Sequence, residues 1–178
     1  GDSWASVTAP VALNRLAYGL IDDGTSDLKV GRFVAIGLGG TANAAYSDNG
    51  TTWTATTLPL SATWVDVTFG GGKFVAIASD STTVAISNDG IEWDLTGTLN
   101  TTGFAAIGYG AGKFVAVKSG TTDAVEYSTD AVAWTQEDMP ENLAWSDVEY
   151  GSNIWVAISA ASNNSAYSID GINWVSGT

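Results

Sequence analysis

The sequence contains no cysteine and no histidine among its 178 residues. Without cysteine there can be neither a disulfide framework nor a thiolate metal site. Without histidine, a Ser-His-Asp triad, a histidine-ligated zinc site and an imidazole general base are all excluded.

Positive charge and long apolar runs are also scarce. Six Lys and Arg residues stand against 19 Asp and Glu residues, which gives a net charge of −13. Such a surface repels phosphate backbones and anionic lipid, so we expect no nucleic-acid partner. No apolar run approaches the roughly 18 residues needed to cross a bilayer, so we expect no membrane insertion. Solubility in a salty or extracellular setting is the simplest role for the acidity.

What the sequence does contain is an internal repeat with a period of roughly 40 residues. The phrase Gly-(Arg or Lys)-Phe-Val-Ala occurs at 31–35, 72–76 and 112–116, and a weaker form, Asn-Ile-Trp-Val-Ala, occurs at 153–157. A second phrase of the form Ser-x-Asp-Gly-x-x-Trp follows each of these and keeps the same period. Its Ser, Asp and Trp residues are Ser47, Asp48, Trp53, Ser87, Asp89, Trp93, Ser128, Asp130, Trp134, Ser168, Asp170 and Trp174.

Each repeat is predicted to form four short antiparallel strands. An aromatic-Gly pair ends the first strand, the Phe-Val-Ala phrase forms the second, the third enters the Ser-x-Asp turn, and the fourth starts at the Trp. The composition agrees, since 21 glycines and three prolines are typical of tight turns between short strands. The sequence therefore predicts one all-β domain over 1–178, a β-propeller with repeats at about 10–53, 60–93, 100–134 and 141–174.

The turn residues are predicted to be structural. Ser and Asp side chains bond nearby backbone N–H groups, glycine permits a left-handed φ, and the Trp buries a large ring against the neighbouring blade. Two turns depart from the pattern. Repeat one has Asp48 and Asn49 in reversed order, and repeat three has Ala131 where glycine is expected, which puts a left-handed turn there in doubt.

These turns resemble a shortened form of the Asp-box, which is found in sialidase-like propellers and in BNR-type repeats of bacterial surface and bacteriophage tail proteins. The resemblance implies the propeller architecture and a location that is extracellular or on a virion surface. It does not imply an activity, because the family contains catalytic and non-catalytic members. A sialidase needs three arginines to hold its substrate, and this chain contains only Arg15 and Arg32, so sialidase activity is not expected.

The N-terminus carries a fifth turn ending at Trp4, whereas only four residues follow Trp174. We therefore expect residues 4–9 to supply the last strand of the fourth blade and so close a four-bladed ring. The alternative is that the four repeats belong to a larger array or to an assembly of several subunits.

Aligning the repeats places charged residues at one position of the innermost strand. In a closed ring Arg15 would lie between Asp66 and Asp147 and form a compensated cluster in the channel. The alternative is that all three side chains face solvent.

The position two residues earlier places aromatic residues at one end of the channel: Trp64, Phe104 and Trp145. Aromatic faces stack on sugar rings, so these residues, with Arg15, Asp66 and Asp147, are the predicted ligand-binding set. The alternative is that the three rings plug the channel and stabilise it.

A ten-residue insertion in repeat one contains the carboxylates Asp22, Asp23 and Asp27. Clustered carboxylates can bind Ca²⁺, which prefers six to eight oxygen ligands, although the spacing is not that of an EF-hand. An ordinary solvated loop is the alternative, and no other cofactor is predicted.

Together these features predict a non-catalytic propeller that works in adhesion, recognition or assembly. Its partner would be a glycan or a protein on a surface, or other subunits of a virion or surface assembly. The alternative is a glycoside hydrolase-like enzyme with a carboxylate pair, which 19 acidic residues leave possible.

Overall fold

The computed structural model describes residues 6–22, 24, 28–38, 41–120, 122–160 and 162–177. Within these residues the protein contains sixteen strands and no helix, and they form four antiparallel four-stranded sheets arranged as the blades of a β-propeller. The predicted all-β, four-bladed architecture is confirmed. No helix that could cross a membrane occurs in this part of the chain.

Each blade is a meander whose strands pair in chain order. Blade 1 comprises β1 (Arg15–Ile21), β2 (Val30–Ile36), β3 (Thr41–Ser47) and β4 (Thr54–Ala62). Blade 2 comprises β5 (Trp64–Gly70), β6 (Lys73–Ala78), β7 (Thr83–Ser87) and β8 (Asp94–Thr98). Blade 3 comprises β9 (Phe104–Gly110), β10 (Lys113–Lys118), β11 (Thr122–Ser128) and β12 (Thr135–Leu143). Blade 4 comprises β13 (Trp145–Gly151), β14 (Ile154–Ser159), β15 (Ser165–Ser168) and β16 (Val175–Ser176).

The repeat in the sequence is reproduced in the pairing of the first two strands. In each blade the aromatic residue of the inner strand lies opposite the aromatic residue of the Phe-Val-Ala phrase, with ring centroids 4.7 to 5.1 Å apart and tilted planes. The pairs are Tyr18 with Phe33, Phe69 with Phe74, Tyr109 with Phe114, and Tyr150 with Trp155. Tilted aromatic pairs at this separation are favourable, and they fix the register of the hairpin.

The second strands of blades 2 and 3 form the centre of the core. Every residue from Phe74 to Ala78 and from Phe114 to Val117 is buried, on both faces of its sheet. This is what a nearly continuous apolar run predicts when a sheet is covered on both sides.

The outer strand of blade 4 differs from the prediction. It is β16, whose Val175 and Ser176 pair with Tyr167 and Ala166. The described residues 6–9 form no strand, and residues 1–5 lie outside the described part of the chain. Two residues after the Trp suffice for this edge, because the Gly177 N–H continues the ladder to the Ser165 carbonyl at 2.7 Å.

The blades pack through their inner strands. Strand β1 lies against β5, β5 against β9, and β9 against β13. Between β13 and β1 the described strands have no comparable packing. The ring therefore has three packed blade interfaces and one seam, between blade 4 and blade 1.

Candidate functional site: the channel and the turns around it

The Ser-x-Asp turns are held by the side chains that define the motif. In blade 2 the Ser87 hydroxyl accepts a hydrogen bond from the Gly90 N–H at 2.7 Å and donates to Asp89 Oδ1 at 3.0 Å. Asp89 Oδ1 also accepts from the backbone N–H groups of Ile91 and Glu92 at 2.8 and 3.0 Å. The turns at Ser128 and Ser168 repeat this bonding. These carboxylates therefore bind the backbone of their own turn, as a structural role requires.

In blade 1 the residue that holds the turn is not the one predicted from the motif. Asn49, and not Asp48, holds the turn, since its Oδ1 accepts from the N–H groups of Thr51 and Thr52 at 2.9 and 2.8 Å. Asp48 instead binds Arg32, whose Nε lies 2.6 Å from its Oδ1. An amide oxygen and a carboxylate oxygen accept the same N–H bonds, so the third position of the turn decides the role.

The turn at Ala131 keeps the geometry that the missing glycine put in doubt. Ala131 adopts a left-handed φ of 67°, and its N–H bonds to the Ser128 hydroxyl at 2.9 Å as glycine does elsewhere. The methyl group is fully buried in the core. Burial of that methyl group and the hydrogen bonds of the turn offset the strain of the left-handed conformation.

Hydrogen bonds lower the pKa of the turn carboxyls in blades 2 to 4. The amide and N–H of Asn173 hold the pKa of Asp170 well below its usual range. The N–H groups of Val132 and Ala133 lower the pKa of Asp130. At Asp89 burial raises the pKa, but its N–H partners, the Ser87 hydroxyl and Arg32 together outweigh burial and lower it. All three groups are therefore ionised at neutral pH.

The tryptophans after the turns are not equivalent. Trp93, Trp134 and Trp174 are buried, whereas Trp53 is only half-buried. Trp53 belongs to blade 1, which lacks a packed neighbour on one side, so its exposure reflects the seam.

Two cations join adjacent blades at the turns, a role that the sequence did not reveal. Arg32 of blade 1 donates to the Asp89 carbonyl of blade 2 at 2.8 Å, and Lys73 of blade 2 donates to the Asp130 carbonyl of blade 3 at 3.2 Å. Both residues immediately precede the Phe of their repeat. The recurrence of a cation at that position was the sequence feature that could have indicated this contact between blades.

The predicted charge cluster in the channel is present in part. The Arg15 Nε lies 3.8 Å from Asp66 Oδ1, but no ion pair joins Arg15 to Asp147 among the described residues. Asp66 is mostly buried, and its two oxygens accept the N–H groups of Val67 and Ile107, both at 2.9 Å. Burial raises the pKa of Asp66 to about 6, and the two N–H bonds and Arg15 oppose that shift. Asp66 therefore links blade 2 to blade 3, while Asp147 is exposed.

The three predicted ligand-binding aromatics lie in the core. Trp64, Phe104 and Trp145 are each 0% exposed, so no ring face is free for stacking on a sugar in this structure. Phe104 and Trp145 nevertheless border a cavity of about 410 Å³ at that end of the channel. All four blades contribute to its lining, which includes Arg15, Leu38, Val65, Ser79, Ser119 and Ser146.

The opposite end of the channel forms a second cavity of about 290 Å³. Its polar lining includes the carboxylates Asp66, Asp147 and Glu149. A cation or a hydroxyl-rich group would suit this end better than an anion, because carboxylates accept hydrogen bonds and repel negative charge.

The calcium prediction lies mostly outside the described residues, which include Asp22 but neither Asp23 nor Asp27. Asp22 Oδ1 accepts the Gly24 N–H at 3.0 Å, an ordinary turn contact. The described residues contain no group of three or more carboxylates placed to hold a metal ion.

No protein-family model matches the chain, and no curated protein matches it. Solved structures match its fold. A streptogramin B lyase superposes with a TM-score of 0.69 at 12% identity, over 89% of this chain and 53% of the lyase. YCF48 bound to a D1 peptide gives 0.58 at 14% identity, over 92% of this chain and 51% of YCF48. The computationally designed Ika4 protein gives 0.62 at 14% identity, over 94% of this chain and 98% of Ika4.

The chain thus spans about half the length of the lyase and of YCF48, which are β-propellers. At these identities the similarity shows the fold alone, and the roles of the similar proteins vary. The comparisons identify this chain as a β-propeller.

Proposed function

We propose that the protein is a non-catalytic recognition module on a virion or cell surface, which binds a glycan or a protein segment at the Arg15 end of the channel. The observation that carries the proposal is the cavity of about 410 Å³ there, to which all four blades contribute. Small-molecule sites are concave, and this volume falls within their range.

The chemistry of the cavity indicates the class of ligand. Ser79, Ser119 and Ser146 use their hydroxyl hydrogens on backbone carbonyls at 3.2 to 3.4 Å, which leaves their oxygen lone pairs as acceptors. Arg15 supplies a guanidinium, 45% exposed, as the donor. A ligand with several hydroxyls and one negative group, such as an acidic glycan, would satisfy both kinds of partner.

The bonding of Asp66 supports a non-catalytic role. A glycoside hydrolase needs a carboxyl group free to give a proton to the leaving oxygen and a second carboxylate at a set distance. Both oxygens of Asp66 already accept backbone N–H groups, and one of those bonds joins two blades. Asp66 therefore acts as a link in the scaffold.

The test is a glycan array and a peptide array, followed by titration of any hit, monitored by tryptophan fluorescence. Arg15→Met should weaken binding about tenfold or more, because a charge-assisted hydrogen bond is removed. Lys29→Met is the matched control, since it removes one exposed positive charge away from the cavity. Absence of binding to every glycan and peptide tried, or equal affinity of the Arg15→Met variant, would contradict the proposal.

A further inference from the structure

The three packed blade interfaces share one aromatic contact. In blades 2 to 4 a ring from the inner strand covers a glycine at or near the end of the preceding blade's inner strand, so closely that a β-carbon on the glycine would overlap the ring. The pairs are Phe69 on Gly19, Tyr109 on Gly70, and Tyr150 on Gly110. This glycine is therefore the socket for the next blade.

A second shared contact joins the turn to the preceding blade. A β-carbon at Gly90 would overlap the Val34 side chain, and one at Gly171 would lie 3.1 Å from Val115 Cγ2. The turns of blades 2 and 4 thus cover the valine of the Phe-Val-Ala phrase in the blade before them.

At the seam both partners of each contact are present in the sequence, but they do not touch. No described residue lies within 4 Å of a β-carbon placed on Gly151, which is the socket equivalent to Gly19, Gly70 and Gly110. A β-carbon on Gly50, equivalent to Gly90, would meet the Phe33 ring of its own blade at 3.6 Å and no other part of the chain that the structure describes. Asp147 is equivalent to Asp66, yet among the hydrogen bonds of the described residues it accepts one, from the N–H of its neighbour Val148.

Apolar side chains on both sides of the seam are exposed, whereas their equivalents at the packed interfaces are buried. Leu16 is 57% exposed, whereas its equivalents Val67, Ile107 and Val148 are 2 to 4% exposed. On the other side of the seam Val156 is 40% exposed, whereas Val34, Val75 and Val115 are completely buried. Ile158 is likewise 48% exposed, against 0% for Ile36, Ile77 and Val117.

The two free surfaces lie on either side of the seam, one on blade 1 and one on blade 4. We call them the blade 1 face, which contains Leu16, Tyr18 and Leu20, and the blade 4 face, which contains Gly151, Val156, Ile158, Tyr167 and Val175. The blade 4 face carries the socket, and the blade 1 face carries the aromatic ring, Tyr18, that would fill it.

We propose that a second copy of the chain covers both faces, with the blade 4 face of each copy packed on the blade 1 face of the other. The two copies make two head-to-tail contacts. The dimer therefore closes with twofold symmetry into a ring of eight blades. The new interface continues the one already used three times within the chain. The curvature agrees, since four blades superpose on about half of a longer propeller chain. The assembly would join the channels of the two copies, but it is measured without a ligand, so it can fail or hold whether or not the channel binds a glycan.

The first test is the mass in solution, by light scattering or sedimentation, where the wild type should have twice 18.3 kDa at micromolar concentration. Gly151→Phe should abolish the dimer by filling the socket, and it should spare the subunit because the site is open and its φ is not left-handed. Leu16→Asp should abolish it from the other face. Leu95→Asp is the control, because Leu95 is 41% exposed on β8, away from the seam.

Mixing tests the head-to-tail arrangement. Gly151→Phe and Leu16→Asp subunits each retain one intact face, so a mixture should form a dimer with one interface although neither variant does so alone. A monomeric wild type would overturn the proposal. Hydrogen exchange would then show whether β13 and β1 are protected by closing on each other or remain accessible to another partner. A mixture that stays monomeric, or a Gly151→Phe variant that still dimerises, would equally overturn it.

Discussion

The ring of Tyr109 covers the α-carbon of Gly70, across the interface between blade 3 and blade 2. The side chain at this glycine must be absent because the ring occupies the space that a β-carbon would need. Gly151 has the same position in blade 4 and is open.

Gly70→Ala should therefore destabilise the protein, by about 1–3 kcal/mol, since the ring and its blade must shift to admit the methyl group. Gly151→Ala should change the free energy of unfolding by less than about 0.5 kcal/mol in the monomer. Urea unfolding monitored by tryptophan fluorescence, at a concentration where the chain is monomeric, measures both. Equal destabilisation by the two changes would show that the seam is packed in solution.

The tryptophans provide a second matched pair. Trp93→Ala should cost about 3–5 kcal/mol, because Trp93 is buried in the core and its removal leaves a large cavity. Trp53→Ala should cost clearly less, because Trp53 retains solvent contact. Thermal unfolding of the two variants tests this order. An unchanged melting temperature of the Trp93→Ala variant would contradict the structural role of these residues.

The repeat made the blades predictable, because a phrase that returns with a fixed period forms the same small sheet each time. The role of Asn49 was not predictable in this way. Asp48 matches the motif by residue type. The backbone N–H groups of the turn, however, bond to the acceptor at the third position, which is Asn49.

The seam could not be predicted either. Leu16 and Val156 have the apolar character of their buried equivalents, so periodicity alone cannot show that one interface lacks its partner. The same limit applied to Trp64 and Trp145. Aromatic residues at equivalent positions in several blades predict a circle of side chains around the channel. How deeply they are buried depends on how closely the inner strands pack.

Glu126 is a fully buried acid that sequence reasoning did not identify. Its Oε2 accepts the backbone and side-chain N–H groups of Asn100 at 2.9 and 3.0 Å, which fixes the connection from blade 2 to blade 3. Glu126→Ala should cost about 2–4 kcal/mol, since it leaves buried donors without an acceptor. Glu126→Gln keeps one acceptor oxygen and should cost less.

Asp138→Ala is the control for Glu126, because Asp138 is exposed on the neighbouring strand of the same blade. Denaturant unfolding measures all three variants. If Glu126→Ala were as stable as Asp138→Ala, the bonds to Asn100 would contribute nothing to holding the two blades together.

Asp66 should make the stability depend on pH in the direction opposite to that of the turn carboxyls. Burial raises its pKa from 3.8 to about 6, so between these values the folded protein holds a proton that the unfolded chain has released. Its stabilising contribution is thus complete below about pH 4 and is lost as the pH rises through 6, by an amount on the order of 3 kcal/mol. Asp130 and Asp170 have lowered pKa values, so their contribution is lost only as the pH falls below about 4.

The window from pH 4.5 to 7.5 therefore isolates Asp66. Asp66→Asn cannot ionise, so its free energy of unfolding should fall less than that of the wild type across this window, although it also loses one of the two N–H bonds at every pH. Urea unfolding at four pH values compares the slopes. Parallel curves for the two proteins would mean that Asp66 is ionised in the folded state throughout, with Arg15 and the N–H groups outweighing its burial.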